Sequence, residues 1–180
     1  MARGFFLLLA VFLAGCASSQ VPKPMGAPED TASPQQVGTS AVRPVGVTLW
    51  TEIVVGDPFG MGQAASVEHA FNLLRPPRSR PMTRYSLDPN KADNDAYRLV
   101  IAINPNLNAT PAHVCVGQIT TRPRVSFQPF TALAVLCRGE EAKYQAKRTI
   151  IMPLDPYDPT YGLLLRDVMD TLFPAGDEVR

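Results

Sequence analysis

Thr131-Ala132-Leu133-Ala134-Val135-Leu136-Cys137-Arg138-Gly139-Glu140-Glu141-Ala142-Lys143-Tyr144-Gln145-Ala146-Lys147-Arg148-Thr149-Ile150 is the stretch that decides the fold. It opens with a strand-length apolar run, Thr131 to Cys137. Arg138-Gly139-Glu140 is a turn signal. Beyond it Ala142, Tyr144, Ala146 and Ile150 alternate with Glu141, Lys143, Gln145, Lys147 and Thr149, the period of a strand with one wet face. Arg148 interrupts the apolar side near its end. The stretch reads as an antiparallel hairpin.

Working upstream, Tyr97 to Ile103 predicts a central strand, because only Arg98 is strongly polar on its second face. His113 to Thr121 reads as a further strand. Val45 to Val55 places Val45, Val47, Leu49, Thr51, Ile53 and Val55 on one face, with Thr48, Trp50 and Glu52 on the other. Gly56-Asp57-Pro58-Phe59-Gly60 breaks that strand. Val67, Ala70, Phe71 and Leu74 then fall at helical spacing until Arg75-Pro76-Pro77.

Downstream, Asp158 is an expected N-cap and Pro159 a first helical residue. Tyr161, Leu164, Leu165, Val168, Met169 and Leu172 form the clearest amphipathic stripe, and Pro174 stops it. The fold class that follows is α+β: a small, largely antiparallel sheet packed on one face against an early helix and a C-terminal amphipathic helix.

Composition narrows the function classes. With 46% hydrophobic and 18% charged residues the chain can bury a core. A net charge of +1 argues against a nucleic-acid partner. The 18 prolines punctuate it into short elements.

Candidate chemistry is sparse. Gly60-Met61-Gly62-Gln63-Ala64-Ala65 fits a dinucleotide fingerprint, but no acidic residue ends a second strand about 20 residues on. The simpler reading is a Gly-rich turn feeding a helix, and no cofactor is expected. His113 and Cys115 are too few ligands for zinc, and His69 reads as a boundary residue. Asp88 to Leu99 lacks the Gly and Glu that a calcium loop requires. No catalytic constellation and no metal site emerge. Arg75, Arg78, Arg80 and Arg84 lie in a Pro-rich loop. Their guanidinium forks suit phosphate or carboxylate, as on lipid headgroups, lipopolysaccharide or peptidoglycan; the alternative is a loop kept wet by its charges.

The other end of the chain says where the protein works. Arg3, an apolar run from Phe5 to Leu13 and small residues after it form a secretory leader, too short to span a bilayer. Its end, Leu13-Ala14-Gly15-Cys16, resembles the lipobox of bacterial lipoproteins. That resemblance implies a diacylglycerol on the Cys16 sulfur, cleavage before Cys16, and a membrane partner through the lipid. It is similar to the outer-envelope lipoproteins of Gram-negative bacteria, in which an aspartate after the lipidated cysteine favours the inner membrane. Ala17 at that position implies the outer membrane, periplasmic side. The folded part looks like small periplasmic lipoproteins of unknown function and, more faintly, like accessory lipoproteins of envelope lipid transport. The organisation expected is a leader over 1–15, a lipidated flexible tether over 16–42, and one domain over 43–180. As a random coil the tether would span roughly 30 Å.

In an exported protein the remaining cysteines, Cys115 and Cys137, are expected to be bridged. If their segments are antiparallel neighbours joined across Arg122 to Pro129, the pairing centre falls near Ser126 and sets the two opposite each other. The alternative is two buried thiols. Two functions follow: a non-catalytic, membrane-tethered binding or assembly module with an envelope partner, or an enzyme acting on peptidoglycan or lipid.

Overall fold

The computed structural model describes residues 35–36, 46–123, 128–151 and 153–175. The expected leader, Cys16 and the expected tether except Gln35 and Gln36 lie outside the described residues, as does Val45. The strands are β1 (Gln35–Gln36), β2 (Thr48–Val54), β3 (Arg84–Ser86), β4 (Asn94–Ile103), β5 (Pro129–Arg138) and β6 (Glu141–Ile151). The helices are α1 (Gln63–Leu73), α2 (Pro111–Cys115) and α3 (Pro159–Leu172). One sheet contains all six strands in the order β1-β6-β5-β4-β2-β3. Pairing is antiparallel from β1 through β4, and β2 runs parallel to both β4 and β3. The α+β class holds.

The hairpin forms as its alternation requires. Leu136 pairs with Tyr144 and Ala134 with Ala146, all buried on one face. Gly139 takes φ 59° in the turn, a left-handed conformation that costs glycine little. β4 is central: Leu99 through Ile103 are each fully buried, so both of its faces are covered. In β2 burial alternates, with Leu49, Thr51 and Ile53 inside.

α3 closes the main core. Its stripe of Tyr161, Leu164, Leu165, Val168, Met169 and Leu172 is buried with Leu49, Leu99, Ile101, Leu136 and Tyr144. Full burial of each such aliphatic side chain contributes about 1.5–3 kcal/mol. Asp158 caps the helix by accepting from the Thr160 amide at 2.9 Å, with Pro159 in the first turn. α1 adds Ala70 and, just past its end, Leu74 to the same core. Phe59 from the β2–α1 loop packs between Phe130 and Tyr161, at ring-centre distances of 6.1 and 5.6 Å.

Three expectations need correction. His113 to Thr121 is not a strand. Pro111 opens α2 there, and the Thr110 hydroxyl accepts from the His113 amide, so the segment turns helical. Nor are the helices confined to one face. α2 places Val114 and Cys115 on the opposite face, against Val100, Ala102, Leu133, Val135 and Cys137. Finally, two residues inside the expected tether, Gln35 and Gln36, pair with Gln145 and Tyr144 as β1. Backbone pairing needs no apolar side chain, so composition could not mark it.

Candidate binding cleft

The face of β2 that carries Trp50 and Glu52 leads to the site. Parallel pairing sets Trp50 beside Arg98 on β4. The Arg98 guanidinium lies 5.2 Å from the centre of the Trp50 ring, within cation–π range. Its Nη1 is 3.3 Å from a Glu52 carboxylate oxygen, and its Nη2 donates to the Cys115 carbonyl. Three contacts thus hold one side chain, and its charge is matched by Glu52.

The disulfide contributes a second wall through Cys115 alone. Cys115 at the end of α2 is bonded to Cys137 near the end of β5, with Cα atoms 5.6 Å apart. The pair was expected, but the strand geometry drawn for it was not correct. Cys137 already has Arg98 and Ala142 as its partners on β4 and β6, which leaves no edge for a third strand. The bridge instead ties a helix end to a strand end, and both sulfur-bearing residues are buried.

Between these walls is a cleft of about 340 Å³, lined by Trp50, Arg98 and Cys115, the turn residues Val116, Gly117, Gly139 and Glu140, and Asp95 with Ala96 at the start of β4. Asp95 and Glu140 are exposed carboxylates at its rim. The cleft offers one aromatic ring, a charge-matched guanidinium and two acceptor-only groups, so it suits a small polar ligand presenting hydrogen-bond donors. The sequence sets Trp50 on the second face of its strand, with Thr48 and Glu52. Sequence reasoning did not find the cleft, because the Trp50–Arg98 pairing is a matter of strand register.

The four arginines have different surroundings. Arg75 donates from Nη1 to the carbonyls of Asn72 and Leu74 at 2.8 and 2.9 Å, closing the end of α1. Arg78 stands 3.4 Å from Asp170 of α3, and its amide donates to the same carboxylate at 2.7 Å. Arg80 is 5% exposed, and its Nε has no hydrogen-bond partner among the described residues. Arg84 lies in β3 rather than in a loop, and its charge helps hold the Asp93 carboxyl below the usual range, after the Thr48 amide and hydroxyl. Nearby, burial and then the Asp170 charge push the Tyr85 phenol well above its ordinary value.

The remaining motifs are accounted for locally. Asp57 accepts from the amides of Met61 and Gly62 at 2.7 and 2.8 Å. Those are the amides a dinucleotide phosphate would need, so the chain's own carboxylate fills the place. Gly62 sits at φ 86° as the N-cap of α1. Asp88 accepts from the Asn90 amide at 3.0 Å and Asp93 from the Thr48 amide at 2.7 Å, which turns both carboxylates onto backbone. His69 donates from Nε2 to the Pro156 carbonyl at 2.6 Å. Among the described residues no three His, Cys, Asp or Glu side chains gather as a metal site would require. None of the helices described is long and apolar enough to cross a membrane.

No family model matches the sequence, and no curated protein matches it. Among solved structures the chain is similar to a PelC dodecamer, a point variant of the protein from Paraburkholderia phytofirmans, with 13% identity and a TM-score of 0.41. That likeness covers 78% of this chain and 97% of the other, and at this distance it carries no functional argument.

Proposed function

We propose that this chain is an outer-envelope lipoprotein, held by lipid on Cys16 and facing the periplasm. Its folded part is a non-catalytic binding module whose ligand enters the Trp50 cleft. The leader ending in Leu13-Ala14-Gly15-Cys16 supports the address. The observation that carries the reading is the Cys115–Cys137 bond. A buried structural disulfide belongs to an oxidising compartment, and here one of its two cysteines, Cys115, lines the cleft.

Because Asp95 and Glu140 only accept hydrogen bonds when ionised, hydroxyl- or amine-bearing envelope material such as muropeptide is the ligand class that fits. Trp50 is the sole tryptophan, so its emission reports on the cleft directly. Titration with muropeptides should change that emission saturably in the wild type and weakly in Glu140→Gln. An unchanged wild-type spectrum across the muropeptide series would contradict this ligand class. Release of cleaved muropeptide by the wild type would replace the binding module with an enzyme.

A further inference from the structure

β1 runs antiparallel to β6, with Gln35 opposite Gln145 and Gln36 opposite Tyr144. The N-terminal end of β1 therefore faces the Ile151 end of β6 and not the turn at Gly139. Several large apolar side chains are exposed at the same end of the sheet. Among the described residues the four most exposed large apolar side chains are Ile151 at 85%, Tyr157 at 80%, Leu107 at 79% and Leu154 at 78%. Ile151 ends β6, Leu154 and Tyr157 lie in the turn that follows it, and Leu107 lies in the loop that leaves β4 at the same end.

The acidic groups in this turn are Asp155, which is exposed, and Asp158, and both accept from its backbone. Asp155 accepts from the Tyr157 amide at 2.8 Å. Asp158 accepts from the amides of Leu154 and Thr160 at 3.0 and 2.9 Å. These bonds engage both carboxylates with the turn's own amides, beside the exposed side chains of Leu154 and Tyr157. Tyr157 makes a T-shaped ring contact with His69, the ring centres 5.3 Å apart.

We infer that this end of the sheet rests on the membrane surface, with Ile151, Leu154 and Tyr157 entering the headgroup region. The inference depends on the proposed lipid at Cys16. Aliphatic groups gain by leaving water at that depth, and a tyrosine, apolar in body and polar at its tip, suits the interface. The chain between the lipid and the sheet favours the same seating. Eighteen residues lie between Cys16 and Gln35, a length that spans about 25 Å as a coil and at most about 65 Å when extended. A tether of that reach holds the apolar end at high effective concentration near the bilayer, so a weak contact is enough. The Gly139 end of β6, with the Trp50 cleft, then faces away from the membrane, roughly 35 Å off along the strand.

The test uses the full chain purified from membranes and placed in phosphatidylethanolamine–phosphatidylglycerol vesicles with brominated acyl chains. In a Trp50→Phe background, Tyr157→Trp and Glu140→Trp report on the two ends of the sheet. Intact mass of each preparation shows whether lipid is attached. For lipidated protein the bromines should quench the reporter at position 157 and leave that at 140 bright, and adding Ile151→Ser with Leu154→Ser should abolish the quenching. Lipidated protein bright at both positions, or quenched equally at both, would overturn the seating while leaving the anchor intact. Protein whose mass shows no lipid would remove the anchor, and the seating with it.

Discussion

The Arg98 guanidinium stands 5.2 Å from the centre of the Trp50 ring, and strand register makes the two direct neighbours on parallel strands. The same guanidinium reaches Glu52 and the Cys115 carbonyl. It therefore joins the sheet to α2 through one side chain.

Replacing Arg98 by Met keeps the aliphatic stem and removes all three polar contacts. A partly shielded cation–π contact and ion pair together are worth about 1–2 kcal/mol. Denaturant unfolding should show a loss of that size. Because Trp50 is the sole tryptophan, its emission should also move to longer wavelength as water reaches the uncovered ring.

Reducing the Cys115–Cys137 bond should lower stability by about 3 kcal/mol for a bridge spanning 22 residues. Unfolding curves of oxidised and reduced protein give the difference. Alkylation under denaturing conditions, without prior reduction, should leave both cysteines unmodified in protein isolated from the periplasm. Two modified cysteines in that sample would mean that the bond does not form.

Leu165→Asp sets a carboxylate among the buried residues of the main core and should cost on the order of 4 kcal/mol or more. Arg166→Asp, next in sequence and only half-buried, should change the melting temperature little. Thermal melts that ranked the two in the opposite order would place α3 the wrong way round.

Arg80 behaves differently from its three neighbours. A guanidinium 5% exposed whose Nε lacks a partner among the described residues is costly to bury. Arg80→Met, which keeps the stem and removes the charge, should stabilise the fold by about 1–3 kcal/mol. Arg78→Gln, which removes an exposed ion pair with Asp170, should change stability by less than about 1 kcal/mol. Melts in added phosphate give a second readout: extra stabilisation of wild type over Arg80→Met would show an anion reaching this group.

Asp158 supplies a pH dependence of known sign. Hydrogen bonds from the Leu154 amide, then from the Thr160 hydroxyl and amide, hold its carboxyl below the ordinary 3.8. With the folded value below the unfolded one, the contribution is fully present above 3.8 and disappears as pH falls through the lower folded value. Asp158→Asn retains an acceptor for the cap and cannot titrate. Its melting temperature should therefore fall less than that of wild type across the acid range.

How much of this was legible in the sequence depends on how long each pattern runs. The β5–β6 alternation and the α3 stripe each repeat for several turns of their period, and both formed as read. α2 has five residues, and Val114 beside Cys115 looks the same in a strand core as in a helical turn. β3 has three residues and β1 two, too few for any period to show. The cysteine pair followed from the compartment, an argument blind to topology, which is why the bond was right and the strands drawn around it were not. Trp50 stood out on its strand, but its contact with Arg98 needed the β2–β4 register. The burial of Arg80 needed the packing of the segment between α1 and β3, which charge and proline content present as solvated.

The central claim is the lipid at Cys16, and metabolic labelling with a clickable fatty acid tests it most directly. Wild-type protein should carry the label and stay with the membrane fraction through a salt wash, because several acyl chains hold far more tightly than one. Cys16→Ser should be unlabelled. Equal label on wild type and Cys16→Ser, or none on either, would contradict the account.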